Sequence, residues 1–93
     1  MSWVNLGEVF YVVHREVGPE AAEERVAQLR PLLSLDEPGP DRVLSAARIK
    51  ALHPIAYADA FAVATAKAHD AVLLTGDPEL LERDLGCRVE SLR

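Results

Sequence analysis

Apolar residues along this chain fall mostly at helical spacing, and only three short stretches read as strands. Leu6, Val9, Phe10 and Val13 recur at steps of three and four, which predicts an amphipathic helix over 5–15 with Asn5 as its N-cap. Gly18-Pro19 breaks that pattern. Ala22, Val26, Leu29 and Leu33 then predict a second amphipathic helix over 20–30, ended by Pro31. The apolar stretch 32–35 lies between Pro31 and Asp36-Glu37-Pro38-Gly39-Pro40 and is predicted as a strand followed by a loop. Asp41 is the expected N-cap of a third helix running to about Leu52, with Pro54 behind it.

From Ala56 to Ala68 every even position is alanine. Strict alternation ordinarily means a strand, but alanine is the best helix former and is depleted in strands, so a helix is predicted. Tyr57, Phe61, Ala64 and Ala68 would form its main stripe, and the small residues elsewhere would let neighbours approach on more than one side. A buried strand is expected over 71–75, a short helix from Asp77-Pro78 to about Arg83, and a last strand over 88–92 after Gly86. Ser2-Trp3-Val4 reads as the stub of a fourth strand. Strands separated by helices imply an α/β sandwich with a mainly parallel sheet.

Composition narrows the class. The chain has 93 residues, enough for one domain with a modest core, and its 49% hydrophobic and 27% charged content is that of a globular protein. No apolar run approaches the roughly 18 residues needed to cross a bilayer, and no basic segment precedes an N-terminal apolar stretch, so a cytoplasmic protein is expected. The single cysteine, Cys87, has no intramolecular disulfide partner and reads as a packed side chain. His14, His53 and His69 lie far apart, without zinc-ligand spacing. A net charge of −5 argues against a broad nucleic-acid-binding face, though not against an acidic site in which metal ions reverse the local sign.

The chemistry concentrates in two places. Asp59 opens the alanine helix, and Asp77 follows the next strand, so an α/β unit would return both to one edge of a sheet. Two carboxylates meeting there would form a hard, oxygen-only site for Mg²⁺ or Mn²⁺. Each also has a simpler reading. Asp77 before Pro78 makes a good N-cap, Asp59 suits a helix dipole, and Glu8 resembles a solvated acid. Asp36 reads as a loop residue and Glu79 as an acid of a helix's first turn.

Asn5-Leu6-Gly7-Glu8-Val9-Phe10-Tyr11, Tyr57-Ala58-Asp59-Ala60-Phe61-Ala62 and Leu74-Thr75-Gly76-Asp77-Pro78-Glu79 resemble the second, third and fourth acidic motifs of PIN domains. The nearest likeness is to VapC-type toxins of type II toxin–antitoxin pairs, and it spans essentially the whole chain in the right order. The resemblance implies a Mg²⁺- or Mn²⁺-dependent ribonuclease of PIN-like fold. Glu8, Asp59 and Asp77 stand at the family's catalytic, metal-binding acidic positions, Thr75 at a hydroxyl position that supports the last acid, and Asn5 is a further supporting residue. It also implies RNA as substrate and a cognate antitoxin as partner.

PIN domains ordinarily begin with a strand carrying an Asp, and Met1-Ser2-Trp3 stands directly before the second motif. The expectation is therefore a truncated PIN-like domain over 1–93 with its first strand missing and its acidic cluster incomplete. A gap in the sheet would favour a homodimer or higher oligomer. Three functions follow: a nuclease with residual or lost activity, a non-catalytic PIN remnant that binds an antitoxin or itself, and an unrelated α/β domain whose acids are only caps.

Overall fold

Ser2, not Asn5, begins the first helix. In the computed structural model, which describes residues 1–92, the Ser2 hydroxyl accepts the Val4 N–H at 3.1 Å, and α1 runs Trp3–Val17. Serine caps at least as well as asparagine, so the helix starts at the earlier of two competent residues and Asn5 falls within its first turn. The capping side chain is fully buried. At the other end Gly18, with φ 116°, donates its N–H to the carbonyls of Val13 and His14, and Pro19 opens α2, Pro19–Leu29. Such a φ suits glycine, which has no Cβ to clash.

These elements belong to the first of two compact units, Met1–Pro38 and Gly39–Arg93. In the first unit Leu6 of α1 and Ala22 of α2 are buried, and Val9, Phe10, Val13, Val26 and Leu29 are half-buried, as the predicted stripes require. The strand predicted over 32–35 does not form. Pro31 sits in a 3-10 turn, Arg30–Leu32, that prolongs the helical path and leaves Leu32 79% exposed. Pairing survives only as one parallel bridge between Ser2 and Asp36, in which Asp36 N–H donates to Met1 O at 2.9 Å and Trp3 N–H to Asp36 O at 3.1 Å. The stub expected at Ser2-Trp3-Val4 shrinks to Ser2 for a related reason: its next residue already belongs to α1.

The second unit begins with α3, Pro40–Leu52, capped by Gly39. Pro40 takes the first helical position, where its missing N–H costs nothing, so the helix starts before Asp41, which lies in the first turn instead of capping it. The alanine-rich segment is a helix, α4, Tyr57–Ala68. Ala60, Phe61, Val63, Ala64, Thr65 and Ala66 are all buried, so core surrounds most of its circumference. Two members of the expected stripe, Tyr57 and Ala68, are exposed at the helix ends.

The chain leaves α4 through Asp70, at φ 48°, with Asp70 N–H donating to Lys67 O at 3.3 Å and Ala71 N–H to Ala66 O at 2.8 Å. This doubly bonded helix end satisfies carbonyls that would otherwise lack partners. It delivers the chain to β1, Leu73–Thr75, then α5, Pro78–Leu81, and β2, Val89–Ser91. Both strands and α5 are shorter than predicted. β1 and β2 pair in parallel, Leu73 with Val89, Leu74 with Glu90 and Thr75 with Ser91. Among the described residues the sheet is two-stranded, and the architecture is mixed α/β with a small parallel sheet. Ala46 and Ile49 of α3, Ile55, the inner residues of α4, Leu80 and Leu85 form the core, against which Leu73 and Cys87 pack. Burial of side chains such as Phe61 and Ile49 contributes roughly 1.5–3 kcal/mol each.

Candidate functional site

Asp59 lies in the first turn of α4 and is half-buried. Asp77 comes from a different element, the turn after β1. There the Thr75 hydroxyl accepts the Asp77 N–H at 3.0 Å, and Asp77 Oδ1 accepts the Glu79 N–H at 2.9 Å as N-cap of α5. The turn is thus locked from both sides, with β1 fixing Thr75 and α5 fixing the carboxylate. Pro78 at the first helical position reinforces the cap. The capping role read from Asp77-Pro78 is real. It engages one carboxylate oxygen and coexists with whatever else the group does.

The two acids sense each other. Burial raises the Asp59 carboxyl above its ordinary pKa of 3.8, and the negative charge of Asp77 raises it further. Asp77 therefore lies near enough for its charge to reach Asp59. Glu8 and Asn5 lie in the first unit, both half-buried on α1 and three residues apart, hence on one helix face. Among the described residues no three His, Cys, Asp or Glu side chains gather as a group that could hold a metal ion. Asp59 and Asp77 both lie within the second unit.

Several other side chains are organised in ways the sequence reading passed over. Arg42 of α3 donates from a guanidinium N–H to Thr65 Oγ1 at 3.1 Å, and Thr65 Oγ1 donates to Phe61 O at 2.8 Å. The available signal was Thr65 itself, a hydroxyl within an alanine helix. Lys67 runs past Gly86 and reaches toward Cys87, whose thiol burial pushes up while the Lys67 charge pulls it down. Cys87 is half-buried against the core, as expected. His14 is exposed, with its ring 6.0 Å from that of Phe10, and His69 is also exposed, in keeping with surface roles.

No helix among the described residues is long and apolar enough to cross a membrane. No curated protein and no solved structure matches the chain. A profile of the PIN domain, by contrast, matches residues 1–84, from α1 through α5, a span that holds Glu8, Asp59 and Asp77. PIN domains are in general nucleases and typically depend on divalent metal ions. That match removes the reading of an unrelated α/β domain, and the chain belongs to the PIN domain family.

Proposed function

We propose that this protein is a metal-dependent endoribonuclease, the toxin of a type II toxin–antitoxin pair, that works in the cytoplasm with Mg²⁺ or Mn²⁺. One observation carries the reading: the PIN domain profile matches residues 1–84, a span in which Asp59 and Asp77 share an unfavourable electrostatic interaction. Two oxygen ligands that repel each other fit a divalent cation, which relieves the repulsion and accepts hard carboxylate oxygens. Asp59 and Asp77 would hold the ion, with Glu8 as the third catalytic acid by its place in the family motif. A bound Mg²⁺ or Mn²⁺ supplies Lewis acidity toward a phosphodiester and makes water more acidic.

The protein's own contribution is positioning. The Thr75 hydroxyl holds the Asp77 backbone, and the cap bond to Glu79 N–H fixes the direction of the Asp77 carboxylate. Asn5, one turn before Glu8 on α1, supports that acid. The test is cleavage of single-stranded RNA with Mn²⁺ by wild type, Asp59→Asn and Asp77→Asn, alongside calorimetric Mn²⁺ titration. The reading expects each variant to lose about 100-fold in rate or more, in the range seen when metal-site groups are removed. Equal cleavage by wild type and both variants would refute it.

A second reading is a non-catalytic PIN module that binds a cognate antitoxin protein or further copies of itself. One observation favours it: the first unit exposes Tyr11, Val17 and Leu32. Exposed apolar side chains of that kind suit protein contacts. A homodimer or higher oligomer is expected under both readings. Light scattering at micromolar concentration decides that point, and a monomer would exclude it.

A further inference from the structure

Trp3, Gly7, Tyr11 and Arg15 follow one another at steps of four along α1, so they stand in a row on one helix face. All four are exposed, Trp3 by 37% and Tyr11 by 52%. The two rings are eight residues apart, about 12 Å along the axis. Gly7 lies midway between them, and nothing stands within 4 Å of where its Cβ would be. The row therefore offers two aromatic surfaces with open space between them.

Each ring carries a guanidinium. The Arg30 guanidinium carbon lies 5.1 Å from the centroid of the Trp3 ring, and that of Arg15 lies 5.3 Å from the Tyr11 ring. These contacts tether both cations to the row. Both arginines are exposed, and Glu16 falls on the far side of the helix. A chain of net charge −5 thus has a narrow basic line here, interleaved with rings. Aromatic rings stack nucleobases whatever their identity, and arginines meet backbone phosphates, so both components of a single strand find partners. Glu8 borders the row beside Gly7, where the nuclease reading places its third acid.

We propose that Trp3, Tyr11, Arg15 and Arg30 form a ridge that binds single-stranded RNA, with a base stacked on each ring and backbone phosphates on the arginines. The choice of RNA rests on the nuclease reading above. The ridge sets where the strand lies as it passes Glu8, and its residues take no part in the chemistry.

Trp3 is the only tryptophan of the chain, so its emission reports on the ridge. Oligouridylate is titrated into the full chain in EDTA, where metal-dependent cleavage is silent. Saturable quenching of the emission is expected, and an abasic ribose-phosphate chain of the same length should give none. Anisotropy of the fluorescein-labelled oligomer then gives affinities across a salt series. Tyr11→Ala should bind at least about five-fold more weakly, the low end for one base–aromatic stack, with an unchanged salt slope because no charge is lost. Tyr11→Phe should bind as wild type does. Arg15→Gln should lower the slope of log K against log salt by about 0.7, one phosphate contact on a single strand.

Binding without quenching, an affinity unchanged in Tyr11→Ala, or no binding at all would overturn the ridge. Emission that changes with protein concentration alone, together with self-association lost in Tyr11→Ala, would overturn the RNA assignment and give the row to a second copy of the chain. Tyr11 and Arg15 are exposed, so their variants are expected to fold. Failure of the nuclease reading shows separately, as cleavage indifferent to Asp77→Asn.

Discussion

Burial and, after it, the negative charge of Asp77 both hold the Asp59 carboxyl above its ordinary pKa of 3.8. Because the causes are separable, so are their consequences. In Asp77→Asn the charge is gone and the burial remains, so the Asp59 pKa should fall part of the way back. Carbon-detected NMR titration of the Asp59 side chain reads this directly. An unchanged Asp59 pKa in that variant would show that the two carboxylates do not interact.

The same shift makes stability depend on pH in a definite direction. Between 3.8 and the higher folded-state value, the folded protein binds more protons at Asp59 than the unfolded chain does, so this residue's contribution weakens as pH rises through that window. Below it both states are protonated and the penalty vanishes. Asp59→Asn should therefore be more stable than wild type at pH 7 and lose that advantage below about pH 3.8. Asp59 is only half-buried, so screening by solvent keeps the gain under about 1 kcal/mol. Urea unfolding at the two pH values checks it, and added Mn²⁺ should reverse the order at pH 7 by stabilising wild type alone.

Thr75 offers a test of positioning. Thr75→Ala removes the acceptor of the Asp77 N–H and should cost about 0.5–1 kcal/mol, since the bond lies near solvent. Thr75→Ser keeps the hydroxyl and should restore it. If Thr75 orients Asp77, Mn²⁺ affinity measured by calorimetry will fall in the alanine variant and return in the serine one. Equal affinity in all three would confine Thr75 to the turn.

How much of this was legible in the sequence depended on whether the deciding interaction was local. Helices α1 and α2 were readable from apolar spacing, α3 from the residues that bracket it, and α4 from propensity overriding its alternation. Asp77 as a cap followed from one dipeptide, Asp77-Pro78. The strand at 32–35 failed because its length was too small for pattern alone to separate a strand from a 3-10 turn followed by extended chain. Asn5 lost the cap to Ser2 because two good capping residues stood three apart, and only the wider fold selects between them. The Arg42–Thr65 bond spans 23 residues, and its one local trace is a hydroxyl within an alanine helix, which does not name its partner.

Ser2 carries a prediction of its own. Its hydroxyl caps α1, and the residue is fully buried, so Ser2→Ala should cost about 1 kcal/mol while Asn5→Ala should leave helix content unchanged. Circular dichroism through a urea titration distinguishes the two. The opposite ranking would return the cap to Asn5.

The centre of the second unit should be intolerant of bulk. Val63 is fully buried, and Val63→Ala should cost about 2 kcal/mol through lost transfer energy and a residual void. Ala64→Leu, at a position 1% exposed, should cost about 1–3 kcal/mol by overpacking, with the same urea assay as readout.

Alanine has no rotamers to surrender. A helix half of whose buried residues are alanine therefore docks with less of the side-chain ordering entropy that Leu or Met would lose, up to about 1–2 kcal/mol per residue. Close backbone approach supplies the contact, and Phe61, Val63 and Thr65 bear most of the ordering cost that remains. The start of α4, where Asp59 stands, is thus held by packing that costs little ordering.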